Sequence, residues 1–223
     1  LEDSHSGYAN CRKNMEELKE CELQPFDAGI SAGASFVMAG HISLPEILGD
    51  QTPASLSHEI ISGVLREEMG FEGVIITDAL NMGAISENYS SDEAVVRAVE
   101  AGVDSVEHGN YIDPETIREL ADSDSVLVPT LVTIRNLRGC GRYKESVLDP
   151  IIELAAKNLR LAYKYRAKVA LGSDAGAYMV LHGKGLMDEY HAFMVILGES
   201  RDVRAWLADG EKRIQDTFRR PES

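Results

Sequence analysis

The sequence predicts an α/β fold: a parallel sheet of about five strands with alternating helices. Three observations carry that prediction. A short apolar run at 35–39 suits a strand buried on both faces, and further strands read at 74–77, 103–107, 126–132 and 169–173. Segments with helical spacing separate them. Strand and helix follow each other almost without a break, which implies parallel strands joined by right-handed crossovers. A closed (β/α)₈ barrel needs eight strands. Five predict an incomplete barrel as a monomer, with exposed edges that template pairing with another chain. A homo-oligomer, a dimer, is therefore expected.

The elements follow in chain order. Asn14 to Ala32 has apolar residues at helical spacing (Met15, Leu18, Leu23, Phe26, Ile30) and predicts one helix. The run Ser35 to Ala39 is the first strand and leads into Gly40-His41. Ser57 is a good N-cap for a helix through Glu68, which Gly70 ends. Val74 to Thr77 is the second strand. Ser91 to Ala101 predicts a helix with acidic residues in its first turn and a stop at Gly102. Val103 to Glu107 is the third strand, and Pro114 opens a helix to Ala121. Val126 to Val132 is the fourth strand, Val147 to Arg166 a long helix, and Val169 to Ser173 the fifth strand. Met187 to Leu197 and Val203 to Phe218 read as closing helices. The stretches 44–53 and 134–143 read as loops.

Composition narrows the function. The 223 residues suffice for a sizeable core, and 44% are apolar. A net charge of −15 argues against nucleic acid, which must be met by clustered Lys and Arg. No run reaches the roughly 18 apolar residues of a membrane span, and no signal-peptide pattern opens the chain. Cys11, Cys21 and Cys140 are odd in number and not in CxxC spacing. They read as reduced structural thiols, and a cytoplasmic location is expected.

In parallel α/β folds ligands sit at the carboxyl ends of the strands. Those ends carry His41, Asp78, His108, Thr130 with Thr133, and Asp174. Two His and two carboxylates on one rim form a plausible site for Zn²⁺ or another divalent metal. The alternative is that each His only hydrogen-bonds a loop. His182, before Gly183, is a further candidate for the rim. The tripeptide Asp3-Ser4-His5 can form a carboxylate–imidazole pair of the kind that general acid/base work requires. A terminal segment with no such role is the alternative.

Two resemblances divide the chain near Val106. The first rests on DSH at 3–5, LQPFDAGISAGASFVMAGHISLP at 23–45, TPASLSHEIISGVLREEMGFEGVIITDALNMGAI at 52–85 and EAVVRAVEAGVD at 93–104. Residues 1 to about 105 thereby resemble family 3 glycoside hydrolases, the bacterial β-N-acetylglucosaminidases. The resemblance implies Asp78 as the nucleophile that forms a glycosyl-enzyme intermediate, and Asp3 with His5 as the acid/base dyad. That dyad differs from the carboxylate pair usual in retaining glycosidases.

The second rests on AGVDSVEHGNYIDPETIRELA at 101–121, VLVPTLVT at 126–133 and KVALGSDAGAYMVLHGKGL at 168–186. Residues 101 to 198 thereby resemble the metal-dependent amidohydrolases of the imidazolonepropionase and prolidase-like branch. This implies His108 as a metal ligand, Asp174 as ligand or base, and His182 as a loop residue nearby. In that reading His41 and Asp78 complete the ligand set. Residues 199–223 match neither pattern.

The segment AGVDSV is common to both patterns and is a natural crossover point. Together the resemblances imply a chimera of two partial (β/α)₈ barrels: 1–105, 106–198 and a helical tail at 199–223, in one compact domain. The expected function is a hydrolase-derived scaffold acting on a small molecule, with metal-assisted amide or ester hydrolysis if active. One alternative is a residual β-N-acetylglucosaminidase. The other is a folding chimera without catalytic function.

Overall fold

The computed structural model of the chain describes residues 7, 9–80, 82–108 and 112–218. Asp3 and His5 lie outside the described residues. The chain divides into two compact units, Leu1–Ser105 with Gln215–Ser223, and Val106–Ile214.

The first unit contains β1 (Ala9–Asn10), α1 (Met15–Glu20), α2 (Gln24–Ala32), β2 (Phe36–Ala39), β3 (Ile42–Ser43) and α3 (Pro45–Leu48). A 3₁₀ turn (Ala54–Leu56) and a π-helix (Glu59–Glu68) follow, then β4 (Val74–Thr77), α4 (Gly83–Ser86), α5 (Ser91–Ala101) and the first residue of β5 (Ser105–Glu107). The helix expected over 14–32 is two helices. Leu23 N–H donates to the Leu18 carbonyl at 2.8 Å and closes the first. Pro25 then sits in the opening turn of α2, where its missing N–H costs nothing. Asn14 starts α1 with a capping box: Glu17 N–H donates to Asn14 Oδ1 at 3.0 Å, and Asn14 N–H to Glu17 Oε2 at 2.9 Å.

β2 and β4 pair in parallel from Phe36–Val74 to Ala39–Thr77. Val74 and Ile75 are buried, and each such side chain contributes about 1.5–3 kcal/mol. Ser105 pairs with Ile76. The third strand was expected from Val103, and it starts two residues later for a specific reason. The Asp104 carboxylate accepts the Ile75 N–H at 2.7 Å and pairs with Arg66 of the π-helix. Arg66 also donates to the carbonyls of Phe71, at 2.8 Å, and of Gly73. One guanidinium thus ties the π-helix to the entrances of β4 and β5. Ser57 Oγ accepts the Ile60 N–H at 3.3 Å, as expected of a cap. Gly102 ends α5 with φ +99°, and a Cβ there would lie 2.6 Å from Ser62 Oγ, so only glycine fits.

The second unit holds the rest of β5, α6 (Thr116–Asp122), β6 (Val126–Val128), α7 (Val132–Arg135), α8 (Glu145–Tyr165) and α9 (Lys184–Leu197). α10 (Arg201–Phe218) contributes its residues through Ile214. β6 neighbours β5, and His108 N–H donates to the Val128 carbonyl at 3.0 Å. Val126, Val128 and Ala170 form a buried cluster against which Ile214 packs.

Two expected strands are shorter than the sequence implies. The fourth ends at Val128, because Thr130 adopts a left-handed φ of +47° and Val132 begins a helix. The fifth is a single bridge, Leu127 opposite Val169, and the chain turns away through Asp174 at φ +51°. α10 lies directly on that bridge. Trp206 Nε1–H donates to the Ala167 carbonyl at 2.8 Å, and a Cβ on Gly210 would come within 2.0 Å of the Val169 carbonyl oxygen.

Both units are thus mixed α/β with parallel strand pairing. Among the described residues no helix is long and apolar enough to cross a membrane.

Candidate functional site

The level ends of β2 and β4 build the first unit's candidate site. Ala39 and Thr77 face each other, and Asp78 N–H donates to the Ala39 carbonyl at 3.2 Å. Asp78 therefore sits half-buried at the carboxyl end of a parallel strand, where ligands bind in such folds. Its Oδ1 accepts the Ala79 N–H at 2.7 Å, which fixes one carboxylate oxygen.

His41, two residues beyond β2, is fully buried. Its Nε2 lies 3.0 Å from the Ala79 carbonyl, and its Nδ1 lies 2.7 Å from Ser55 Oγ. A carbonyl only accepts, so Nε2 carries the proton. In the neutral ring Nδ1 then accepts the Ser55 hydroxyl proton. His41 thus anchors the residue that follows Asp78.

In the second unit His108 has φ +60° and is half-buried. Its Nδ1 lies 2.8 Å from Thr130 Oγ1. Asp174 and His182 are exposed. Glu189, absent from the candidates read from sequence, is the most completely buried carboxylate described. It accepts the N–H groups of Leu131 and Val132, both at 2.9 Å. Burial pushes its pKa up to about 7, against the opposing pull of those two amides and of Arg135. A signal was present: Glu189 shares its helix face with buried Gly185, Ala192 and Phe193, a spacing that places a carboxylate among core positions.

Among the described residues, the donors as placed do not fit a metal ion. A catalytic zinc takes about three protein ligands, and both ring nitrogens of His41 are committed to protein partners. Among the described residues no three His, Cys, Asp or Glu side chains form a group that could hold a metal.

Known proteins resemble this chain in sequence over about half of its length and in fold over most of it. A β-hexosaminidase of Stenotrophomonas maltophilia (strain K279a) is 38% identical over 106 residues, which are 48% of this chain and 31% of that protein. The chain thus spans less than a third of that relative's length. Among solved structures, an amidohydrolase aligns with 92% of this chain and 47% of its own at TM-score 0.60 and 21% identity. A prolidase complexed with N-methylphosphonate-L-proline aligns with 96% of this chain and 57% of its own at TM-score 0.57 and 19% identity. These two likenesses are of fold, a TIM-barrel-like one. The profile described as Glycosyl hydrolase family 3 N terminal domain matches residues 1–126, running past the seam to the first residue of β6. With that match over more than half its length, the chain belongs to glycosyl hydrolase family 3.

Proposed function

We propose that the chain carries a glycoside hydrolase site for β-linked N-acetylhexosamines, with Asp78 as nucleophile. The observation that carries this reading is the placement of Asp78. It stands at the carboxyl end of β4, level with β2, and one oxygen is held by the following amide. The second oxygen is then oriented for attack on an anomeric carbon, forming a glycosyl-enzyme that water hydrolyses. Asp3 and His5 supply the acid and base. The name of the Stenotrophomonas relative supports the substrate class. A metal-assisted amide or ester hydrolysis through His41 would require the ring to release one of its two partners, Ser55 or Ala79, to free a nitrogen.

We further infer that two partial barrels are joined at Val106. The division between Ser105 and Val106 supports this, as does the amidohydrolase-like residue pattern over 101–198.

The test is cleavage of an aryl β-N-acetylglucosaminide by the whole protein. Activity is expected, and Asp78→Ala abolishes it. Azide then restores release of the aryl group, because it replaces the missing carboxylate as nucleophile. Activity that survives in Asp78→Ala without azide would refute the assignment.

A further inference from the structure

The chain has a net charge of −15, yet one cavity of the second unit has three cations and a single carboxylate in its lining. It has a volume of about 430 Å³ and lies between α7 with the residues after it and α9. Arg135, Arg138 and Lys184 line it against one carboxylate, Asp188. His191 adds an imidazole.

The three cations differ in their commitments. Arg138 reaches Glu145 at 3.4 Å and Asp149 at 3.1 Å. Lys184 reaches Asp188 at 3.3 Å. These partners are exposed on at least one side, and ion pairs of that kind hold weakly. Arg135 is half-buried; its backbone N–H donates to the Leu131 carbonyl at 3.0 Å, while its guanidinium makes no hydrogen bond or salt bridge among the described residues. The anion nearest in effect is Glu189, whose carboxylate is already taken by the Leu131 and Val132 amides. A guanidinium presents a planar fork of donors that matches the geometry of carboxylate and phosphate oxygens. The same cavity has apolar walls from Val132, Met179 and Val195. Asn136 ties its floor to the Met179 carbonyl at 3.0 Å, fixing the loop that carries one wall.

We propose that this cavity binds a small oxyanion, a carboxylate or a phosphate bearing a short apolar group, with Arg135 as the principal ligand. The site uses no residue of the glycosidase reading and lies wholly within the second unit.

The test is calorimetric titration of the full chain with two probes, inorganic phosphate and butyrate, at low ionic strength. Saturable binding of at least one probe is expected, and the stronger of the two identifies the anion class. Arg135→Gln should weaken binding about tenfold or more, the effect of losing a charge-assisted pair. Lys184→Gln should weaken it several-fold. Arg97→Gln, on α5 in the first unit, should leave it unchanged, as should Asp78→Ala. Absence of saturable binding with both probes, or equal affinity in Arg135→Gln, overturns the proposal. Should Arg135→Gln fail to fold by circular dichroism, Lys184→Gln decides, and unchanged affinity in it overturns the proposal.

Discussion

The imidazole of His41 holds the carbonyl of Ala79 at 3.0 Å, one residue beyond Asp78. The ring is fully buried and donates through Nε2, while its other nitrogen meets the Ser55 hydroxyl. A side chain read from sequence as a metal ligand braces, from its buried position, the turn that presents Asp78.

Removing that brace should cost stability. His41→Ala opens a void and leaves both a buried hydroxyl and a carbonyl without their partner. We expect a loss of about 2–4 kcal/mol in unfolding free energy, read by urea denaturation. His41→Gln keeps one donor and should lose less. Equal losses in the two variants would show that the hydrogen bond to Ala79 contributes nothing.

Glu189 should make stability pH-dependent in an unusual direction. Its pKa stands at about 7 when folded, above its ordinary value of 4.5. Between those values the folded protein binds more protons than the unfolded chain, so this group's contribution falls as pH rises and levels off above about 7. The full change is on the order of 3 kcal/mol. Unfolding free energies of wild type and Glu189→Gln, compared from pH 5 to pH 8, should diverge in favour of the variant as pH rises. A pH-independent difference would mean that Glu189 does not titrate in this window.

Gly210→Ala should be poorly tolerated. The added methyl would sit 2.0 Å from a backbone oxygen of residue 169, which no side-chain rotation relieves. A helix forced away from that contact costs about 1–3 kcal/mol or more, and thermal unfolding should show a fall of several degrees. An unchanged midpoint would mean that α10 is free to shift away from the Val169 backbone.

The elements most legible in the sequence are those whose signals are local. Val74–Thr77 and Ser91–Ala101 have the bounds that their apolar run and Gly102 stop imply. Asp78 and His41 were both readable as strand-end residues, because a parallel strand delivers its next residues to one rim. Pro25 was a local signal left unused, and it splits the first helix. What stayed hidden depends on distant partners. Val126–Val132 reads as one strand, but Glu189 accepts the amides of residues 131 and 132 and turns them into the start of a helix. Asp104 likewise replaces a rung of the ladder with its own carboxylate. Neither substitution is visible in the residues of the strand itself.

The reach of Glu189 also sets an order of events in biosynthesis. Its carboxylate lies 58 residues along the chain from the Leu131 amide it satisfies. At about 5–20 residues per second of synthesis, the segment after β6 emerges from the ribosome about 3–12 seconds before its anchor exists. During that interval its amides have only water as a partner. The short helix it becomes is fixed retroactively, by a side chain the ribosome has yet to add.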